Sequence, residues 1–298
     1  MSAGVNTPPI CDQSKTRFPA FFIVGPPRTG STWLYEVLRH RSVLPFPAKE
    51  TRFFDSHFHR GLEWYLGHFP DRADARVMGE VAPTYFASSL ARERIAQLAP
   101  AAKIVCTFRN PVERILSLYK VKRAYGMSPW SFDEAVAKDP ELVASGRYAT
   151  HLRAWQSDFG EDHVLATLYE DLRRDPQAYL EAVTDFIAVP RISLTPSERS
   201  RVHDSEDLTH PRSYVLNRLA CSLADWFKAE RMDRLLVAAR RRILLRLLLG
   251  TGRKFEPLPA DAVDRLYELF LPEVEELESI LKRDLSAWKP RRIRSLVA

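Results

Sequence analysis

The chain passes directly from a buried strand into a helix near its N-terminus, and this junction restricts the fold more than any other segment. The run FPAFFIV at 18–24 is short and rich in aromatic and branched residues, which is typical of a buried strand. Gly25-Pro-Pro follows as a turn, and apolar residues then recur at helical spacing over 30–40. A strand that leads into a helix begins a βαβ unit, so we predict an α/β fold.

The same strand-to-helix pattern recurs further along the chain. The additional predicted strands lie at 103–108 (KIVCTF) and 164–169 (VLATLY), and the predicted helices at 111–125, 148–159 and 176–188. Strands that alternate with helices pair in parallel and carry helices on both faces of the sheet. The sequence therefore predicts a central parallel sheet flanked by helices.

The last third of the chain is predicted to be helical only, with helices at 211–228, 232–249 and 260–283. Within it, 228–254 contains nine lysines and arginines against two acidic residues. No Gly/Ser-rich linker separates this part from the rest. We therefore predict one domain over 1–298, with an N-terminal extension at 1–17 and a basic helical insertion or cap at 191–250.

Charge and composition indicate which ligands, membrane segments and cysteine sites to expect. The formal net charge of +6 favours an anionic ligand without implying nucleic acid as a partner. No apolar run approaches the roughly 18 residues of a membrane span, so we expect no integral membrane segment. The three scattered cysteines give neither a disulfide framework nor a paired-thiol metal signature. A reducing, cytoplasmic location is the expectation.

The turn from Gly25 to Thr32, GPPRTGST, is a candidate anion-binding loop. Backbone N–H groups and the positive end of a helix dipole can surround an oxyanion at such a junction. A Walker loop would require lysine where Ser31 stands, which disfavours an ordinary ATP or GTP hydrolase. A glycine turn without a ligand is the alternative; Arg28 and the two hydroxyl residues favour anion binding.

Residues 28–33, RTGSTW, resemble the phosphosulfate loop of the sulfotransferases that use 3'-phosphoadenosine 5'-phosphosulfate (PAPS). The resemblance implies a fold related to the P-loop NTPases, PAPS as the donor and no required metal. The chain departs from the family pattern by carrying arginine instead of lysine at position 28. For Trp33, stacking on the adenine ring and packing in the helix core both stay open. The implied donor-binding residues of the loop are Arg28, Thr29, Gly30, Ser31, Thr32 and Trp33.

A second anion site is predicted where Arg109-Asn-Pro follows the strand at 103–108. Taken alone this is a good helix opening, with Asn110 as the cap. The family places an arginine after this strand and a serine on the next helix to bind the 3'-phosphate, which implies Arg109 and Ser117. Near the C-terminus, Gly252 and Arg253 resemble a Gly-Arg loop that covers the same phosphate; a basic solvated loop is the alternative.

The proton acceptor is predicted from the segment KETRFFD at 49–55, which resembles the Glu-x-x-Phe-Phe segment of the heparan-type sulfotransferases. The resemblance implies Glu50 as the catalytic base, with Arg28 stabilising the leaving phosphate. A surface carboxylate paired with Lys49 or Arg52 is the alternative, and Glu80 is the reserve base. Val81 stands where heparan-type enzymes often carry lysine. The histidines at 57, 59 and 68 lack the spacing of a metal site.

The leading functional hypothesis is a sulfotransferase that moves the sulfuryl group from PAPS to a hydroxyl or amine of a small-molecule or carbohydrate acceptor. Two other classes stay open. One is a P-loop kinase for a small molecule, which would require ATP and magnesium. The other is a non-catalytic module whose basic helix at 231–249 makes a peripheral contact with an anionic membrane or polymer surface.

Overall fold

The computed structural model describes residues 18–70, 76–200 and 254–290, with isolated positions 213, 215, 218, 219 and 222. Its strands are β1 Phe21–Ile23, β2 Gly79–Val81, β3 Lys103–Phe108 and β4 Val164–Leu168. They form one sheet in the order β2-β1-β3-β4, and every neighbouring pair is parallel. The predicted central parallel sheet is confirmed. The strand β2 was not predicted, and Tyr169, predicted to end a strand, begins a helix.

The described helices lie between and after these strands. Their bounds are α1 Ser31–Leu38, α2 Gly61–Leu66, α3 Ser89–Leu98, α4 Pro111–Ala124, α5 Phe132–Lys138, α6 Pro140–Ala144, α7 Tyr148–Phe159, α8 Tyr169–Arg174, α9 Pro176–Phe186, α10 Pro196–Ser200 and α11 Ala260–Leu281. The predicted helices at 211–228 and 232–249, and the cap at 191–250 apart from its first ten residues, lie almost wholly outside the described residues. In the described parts of the chain, no helix is long and apolar enough to cross a bilayer.

Alternating side chains of the strands divide the core into two clusters. Phe22, Ile104 and Phe108 belong to one cluster, which also takes buried side chains from α3, α4, α7 and α11. Phe21 and Val105 belong to the other, together with α1 and α9. Successive residues of a strand point to opposite faces, so a short, wholly apolar strand serves both layers. This is why β1 appears in the sequence as a continuous apolar run.

The helix α11 packs on α4 and α7 through the apolar stripe that its sequence predicts. The segment after it runs beside α8 at the carboxyl edge of the sheet. There Trp288 donates its indole N–H to Glu170 at 3.0 Å, and Arg283 pairs with Asp171. The C-terminal part of the described chain therefore closes one side of the edge at which β3 and β4 end.

Candidate active site

The loop that joins β1 to α1 is tied to β3 by close packing and a hydrogen bond. A Cβ added at Gly25 would lie 2.1 Å from Oγ1 of Thr107, so only glycine fits there. The hydroxyl of Thr29 donates to the carbonyl of Pro26 at 2.7 Å and lies 2.6 Å from Oγ1 of Thr107. The Thr29 side chain is thus part of the core, and only its backbone remains to meet a ligand.

Two loop residues adopt the left-handed conformation that turns a chain sharply. Arg28 has φ of 77° and Gly30 has φ of 95°. A non-glycine residue with such a φ is uncommon and is often found at functional sites. Gly30 is also the N-cap of α1 and supplies no side-chain acceptor to its first turn. The loop therefore leads into the N-terminus of α1 at Ser31 and the exposed Thr32, and a helix N-terminus favours anion binding.

Trp33 packs inside the protein on the opposite side of α1. Its side chain is 8% exposed, its indole N–H donates to the carbonyl of Glu198 at 2.8 Å, and its ring lies 6.3 Å from that of Tyr179. These contacts are those of the core-packing alternative. Adenine stacking by Trp33 stays a prediction.

Arg28 meets the second predicted anion site directly. Its Nε donates to Oγ of Ser117 on α4 at 2.9 Å. Burial, followed by the positive charge of Arg109, lowers the pKa of the Arg28 guanidinium below its usual value. The structure therefore brings Arg28, Ser117 and Arg109 together at the carboxyl ends of β1 and β3, which are neighbours in the sheet.

Arg109 is held between an aromatic ring and a carboxylate. Its guanidinium lies 4.8 Å from the ring centroid of Tyr169, and its Nη2 pairs with Glu113 at 2.8 Å. Tyr148 donates its hydroxyl proton to the Arg109 carbonyl at 2.9 Å. The predicted cap is present as well, since the side chain of Asn110 accepts from the N–H of Val112 at 3.0 Å. Gly252 and Arg253 lie outside the described residues.

Glu50 lies against the loop rather than on open surface. The Nζ of Lys49 is 3.0 Å from Oε1 of Glu50 and donates to Oγ of Ser31 at 3.2 Å. The alternative of a Glu50–Lys49 pair is therefore observed, and that pair connects the proposed base to the first residue of α1. The Glu50 side chain keeps 27% exposure, which leaves it accessible to an incoming acceptor.

The residue after Glu50 is fixed by a buried carboxylate on β2. Oε1 of Glu80 accepts from the backbone N–H of Thr51 at 2.9 Å and from its hydroxyl at 2.8 Å, and Oε2 accepts from the Tyr65 hydroxyl at 2.9 Å. Glu80 is fully buried, and burial raises its pKa to about 7. These donors enclose the oxygens of Glu80, which thereby holds the Glu50 segment in place; its role as a reserve base stays a prediction.

Aromatic packing beneath Glu50 completes this support. Phe54 packs edge to face against Phe22 of β1 at 5.6 Å between centroids, and Phe53 stacks on Tyr65 at 4.6 Å. Both phenylalanines are buried. The two rings therefore anchor the chain that follows Glu50 in the core. The segment is thereby joined to the same strand that ends in the loop.

Comparison with known proteins identifies the family. A model described as the sulfotransferase domain matches residues 18–206, more than half of the chain. This chain belongs to the sulfotransferase domain family. The match confirms the resemblance seen in the sequence and the predicted enzyme class, and it includes every site residue named above that lies before position 207.

Two curated relatives of the sulfotransferase domain are heparan sulfate enzymes. The bifunctional heparan sulfate N-deacetylase/N-sulfotransferase 1 of Xenopus tropicalis is 32% identical over 205 residues, and the human N-deacetylase/N-sulfotransferase 2 is 31% identical over the same length. Each alignment covers 60% of this chain and 23% of the relative. The chain thus spans about a quarter of the length of these relatives.

A solved structure supports the fold over nearly the whole chain. The crystal structure of a sulfotransferase from Alicyclobacillus acidocaldarius superposes with a TM-score of 0.65 at 22% identity, and the match covers 92% of this chain and 99% of that one. This likeness confirms the predicted fold class.

Two residues of the sulfotransferase domain were not predicted as parts of the site. Tyr169 lies under Arg109 but reads in the sequence as the end of an apolar strand. Lys49 contacts Ser31 but reads as a local partner of Glu50. The signal for Tyr169 was its position at the carboxyl end of β4, the edge where parallel sheets bind ligands. Lys49 carries no comparable signal, because its contact with Ser31 spans 18 positions.

Two of the described histidines, His57 and His68, pack locally against Trp64. His68 lies with Nδ1 2.9 Å from the carbonyl of Trp64, and the ring of His57 lies 5.4 Å from the Trp64 ring. Throughout the described ranges, no group of three or more His, Cys, Asp or Glu side chains is placed to hold a metal ion.

Glu80 makes stability depend on pH in a defined direction. The folded-state pKa of about 7 lies above the ordinary value of 4.5. The contribution of protonated Glu80 to folding stability is therefore complete below about pH 4.5 and is lost as pH rises through 7. The difference between these two pKa values corresponds to roughly 3 kcal/mol in the free energy of unfolding. We expect Glu80→Gln to remove this part of the pH dependence, because glutamine carries no charge into the buried site.

Urea unfolding at pH 5.5 and pH 8 measures the Glu80 effect. The free energy of unfolding of the unmodified chain should fall more between these values than that of Glu80→Gln. The control is Glu63→Gln, which changes an exposed carboxylate on α2 and should keep the original dependence. An identical pH dependence in Glu80→Gln and the unmodified chain contradicts the assignment.

Proposed function

We propose that this sulfotransferase domain transfers the sulfuryl group from PAPS to a hydroxyl or amine of a small-molecule or carbohydrate acceptor. The observation that carries the proposal is the pair of guanidinium groups, Arg28 and Arg109, at the ends of adjacent parallel strands with Ser117 beside Arg28. A nucleotide with phosphate at both its 3' and 5' positions would bring one anion to each. A nucleotide with a single phosphate would satisfy only one of them.

The residues present fit such an anionic ligand. Two neighbouring cations repel one another, and this repulsion contributes to the lowered pKa of Arg28. An anion bound between them would offset that cost and form charge-assisted hydrogen bonds. In this proposal Arg109, Ser117 and Arg253 bind the 3'-phosphate. The 5' end lies at the loop, against Arg28 and the N–H groups of 29–32.

Glu50 is the base in the proposed reaction. It removes the proton of the acceptor hydroxyl or amine as the acceptor atom forms its bond to sulfur. The bond between sulfur and the bridging oxygen breaks, and its electron pair stays on the 5'-phosphate of the product, adenosine 3',5'-bisphosphate. Arg28 and the loop N–H groups stabilise that developing charge. The hydrogen bonds of Glu80 to Thr51 keep Glu50 directed at the loop.

A carbohydrate is the acceptor class to test first. The two relatives described above act, by name, on heparan sulfate, and the alignments with them cover 60% of this chain. This chain differs from the heparan-type pattern at position 81, where it carries Val81 instead of lysine. The Val81 side chain is apolar and fully buried. We therefore propose amino sugars and hydroxyl-bearing sugars as separate arms of one acceptor screen with labelled PAPS.

Ligand-induced stabilisation tests the donor assignment. Adenosine 3',5'-bisphosphate at a hundred times its Kd should add about 2.7 kcal/mol to stability, because it binds only the folded state. ATP with magnesium, 5'-AMP and NAD should each give a smaller shift in Tm at equal concentration. A larger shift with ATP and magnesium would favour the kinase alternative and contradict the proposal.

Replacing Arg109 tests the 3'-phosphate site itself. We expect Arg109→Gln to weaken binding of adenosine 3',5'-bisphosphate by about tenfold or more, because a charge-assisted hydrogen bond contributes roughly 1.5–3 kcal/mol. Affinity for 5'-AMP should change little. The matched control is Arg153→Gln, an exposed residue of α7 paired with Glu276. Equal losses for both nucleotides in Arg109→Gln, measured by calorimetry, would refute the assignment.

A further inference from the structure

Lys49 occupies the space between the loop and the proposed base. Its Nζ is 3.2 Å from Oγ of Ser31, at the first residue of α1, and 3.0 Å from Oε1 of Glu50. The Lys49 side chain is 18% exposed, so the ammonium is drawn inward rather than extended into solvent. The contact with Ser31 spans 18 positions of sequence. Lys49 thus contacts the end of the loop, at Ser31, as well as Glu50.

Arg28 lies on the other side of the same loop. Its Nε is committed to Ser117 of α4, and it feels the charge of Arg109. Arg28 and Lys49 therefore lie at different sides of the loop. Arg28 faces α4 and the second anion site, whereas Lys49 faces Glu50, the side from which an acceptor must approach.

We infer that Lys49 is a further catalytic residue, whose ammonium binds the sulfonate oxygens of the donor during transfer. The inference rests on the proposed function. The sulfonate is the end of the donor that must lie between the loop and Glu50, since the base has to reach the acceptor atom that attacks sulfur. Among the residues that the structure describes, Lys49 is the cation that contacts both the loop, at Ser31, and Glu50.

The charge balance at Lys49 changes in the direction that favours transfer. Before reaction, the charge of Glu50 offsets that of Lys49. As Glu50 takes the acceptor proton its carboxylate becomes neutral, while the electron pair of the breaking bond adds negative charge to the departing phosphate oxygen. The ammonium therefore binds the donor more strongly in the transition state than before it, which lowers the barrier. A lysine suits this exchange because its three N–H donors rotate freely.

A purely structural role would leave a different signature. A partly exposed ion pair contributes about 0–1 kcal/mol to stability. Lys49→Met should therefore unfold at nearly the same urea concentration as the unmodified chain. Any loss of donor binding in this variant then reflects the missing ammonium rather than a loss of folded protein.

The test compares PAPS with adenosine 3',5'-bisphosphate, which lacks the sulfonate. In calorimetry without acceptor, Lys49→Met should weaken PAPS binding by about tenfold, because one charged hydrogen-bond donor is lost. Its affinity for the bisphosphate should change less than twofold. Lys49→Arg, which keeps the charge, should recover part of the PAPS affinity. In the acceptor assay, kcat of Lys49→Met should fall by a further tenfold or more.

The control variant is Lys138→Met, which removes a lysine on α5 that pairs with Glu134. It should bind both nucleotides as the unmodified chain does. Unchanged PAPS affinity in Lys49→Met, or equal weakening of both nucleotides, overturns the inference while leaving the proposed function intact. Failure of the unmodified chain to bind either nucleotide rejects the proposed function instead, and the inference falls with it.

Discussion

Replacing Glu50 with glutamine should lower kcat for sulfuryl transfer by about a hundredfold or more, within the range that a general base contributes. Glutamine keeps an oxygen that can accept from Lys49, so the contacts of the loop persist. It cannot take a proton from the acceptor. The affinity for adenosine 3',5'-bisphosphate should therefore stay within about twofold, since the loss arises only in the chemical step.

Steady-state transfer from labelled PAPS, combined with calorimetry for the bisphosphate, separates these two quantities. Glu161→Gln provides the control, because Glu161 is exposed at the start of the turn before β4. Its kcat should match that of the unmodified chain. If Glu50→Gln transfers sulfate at the original rate, Glu50 has no part in proton removal and the mechanism needs another base.

Replacing Gly25 with alanine should cost roughly 3 kcal/mol or more, the upper end of what overpacking causes. The added Cβ would lie 2.1 Å from Oγ1 and 2.3 Å from the backbone nitrogen of Thr107. Backbone atoms of a central strand cannot rotate away as a flexible side chain can. The strands β1 and β3 would have to separate, and the loop would move with them.

Urea denaturation of Gly25→Ala beside Gly160→Ala tests this packing. Gly160 has φ of 82° but open space around its Cα, so its variant carries only backbone strain. Strain of this kind costs roughly 1–3 kcal/mol. Gly25 has no positive φ, so Gly25→Ala carries the steric clash and Gly160→Ala carries the backbone strain. Gly25→Ala as stable as Gly160→Ala would contradict the close approach of β1 and β3.

The elements that sequence predicted best are those with strong local signals. The strand at 103–108 is rich in apolar residues, and Asn110 with Pro111 marks the start of α4; both were predicted at the observed residues. The loop and Arg109 followed from the same junctions. Both lie at one edge of the sheet because parallel strands bring their carboxyl ends together there.

The strand β2 could not be predicted in the same way. It has three residues, and its central residue is the charged Glu80. A buried carboxylate is tolerated there only because Thr51 and Tyr65, distant in sequence, donate to it. The inward position of Lys49 likewise depends on a partner that is set by the fold. Such features arise from tertiary contacts, which a local pattern does not encode.

The hydrogen bond between Thr29 and Thr107 fixes the distance between the anion-binding loop and β3. The loop and the strand that carries Arg109 are fastened side by side, at the spacing of about 4.8 Å that separates neighbouring strands. That distance is fixed by backbone geometry and not by the length of any surface segment. Segments that face the acceptor can therefore change in sequence to suit new substrates. The spacing of the two anion sites proposed for the nucleotide would stay the same.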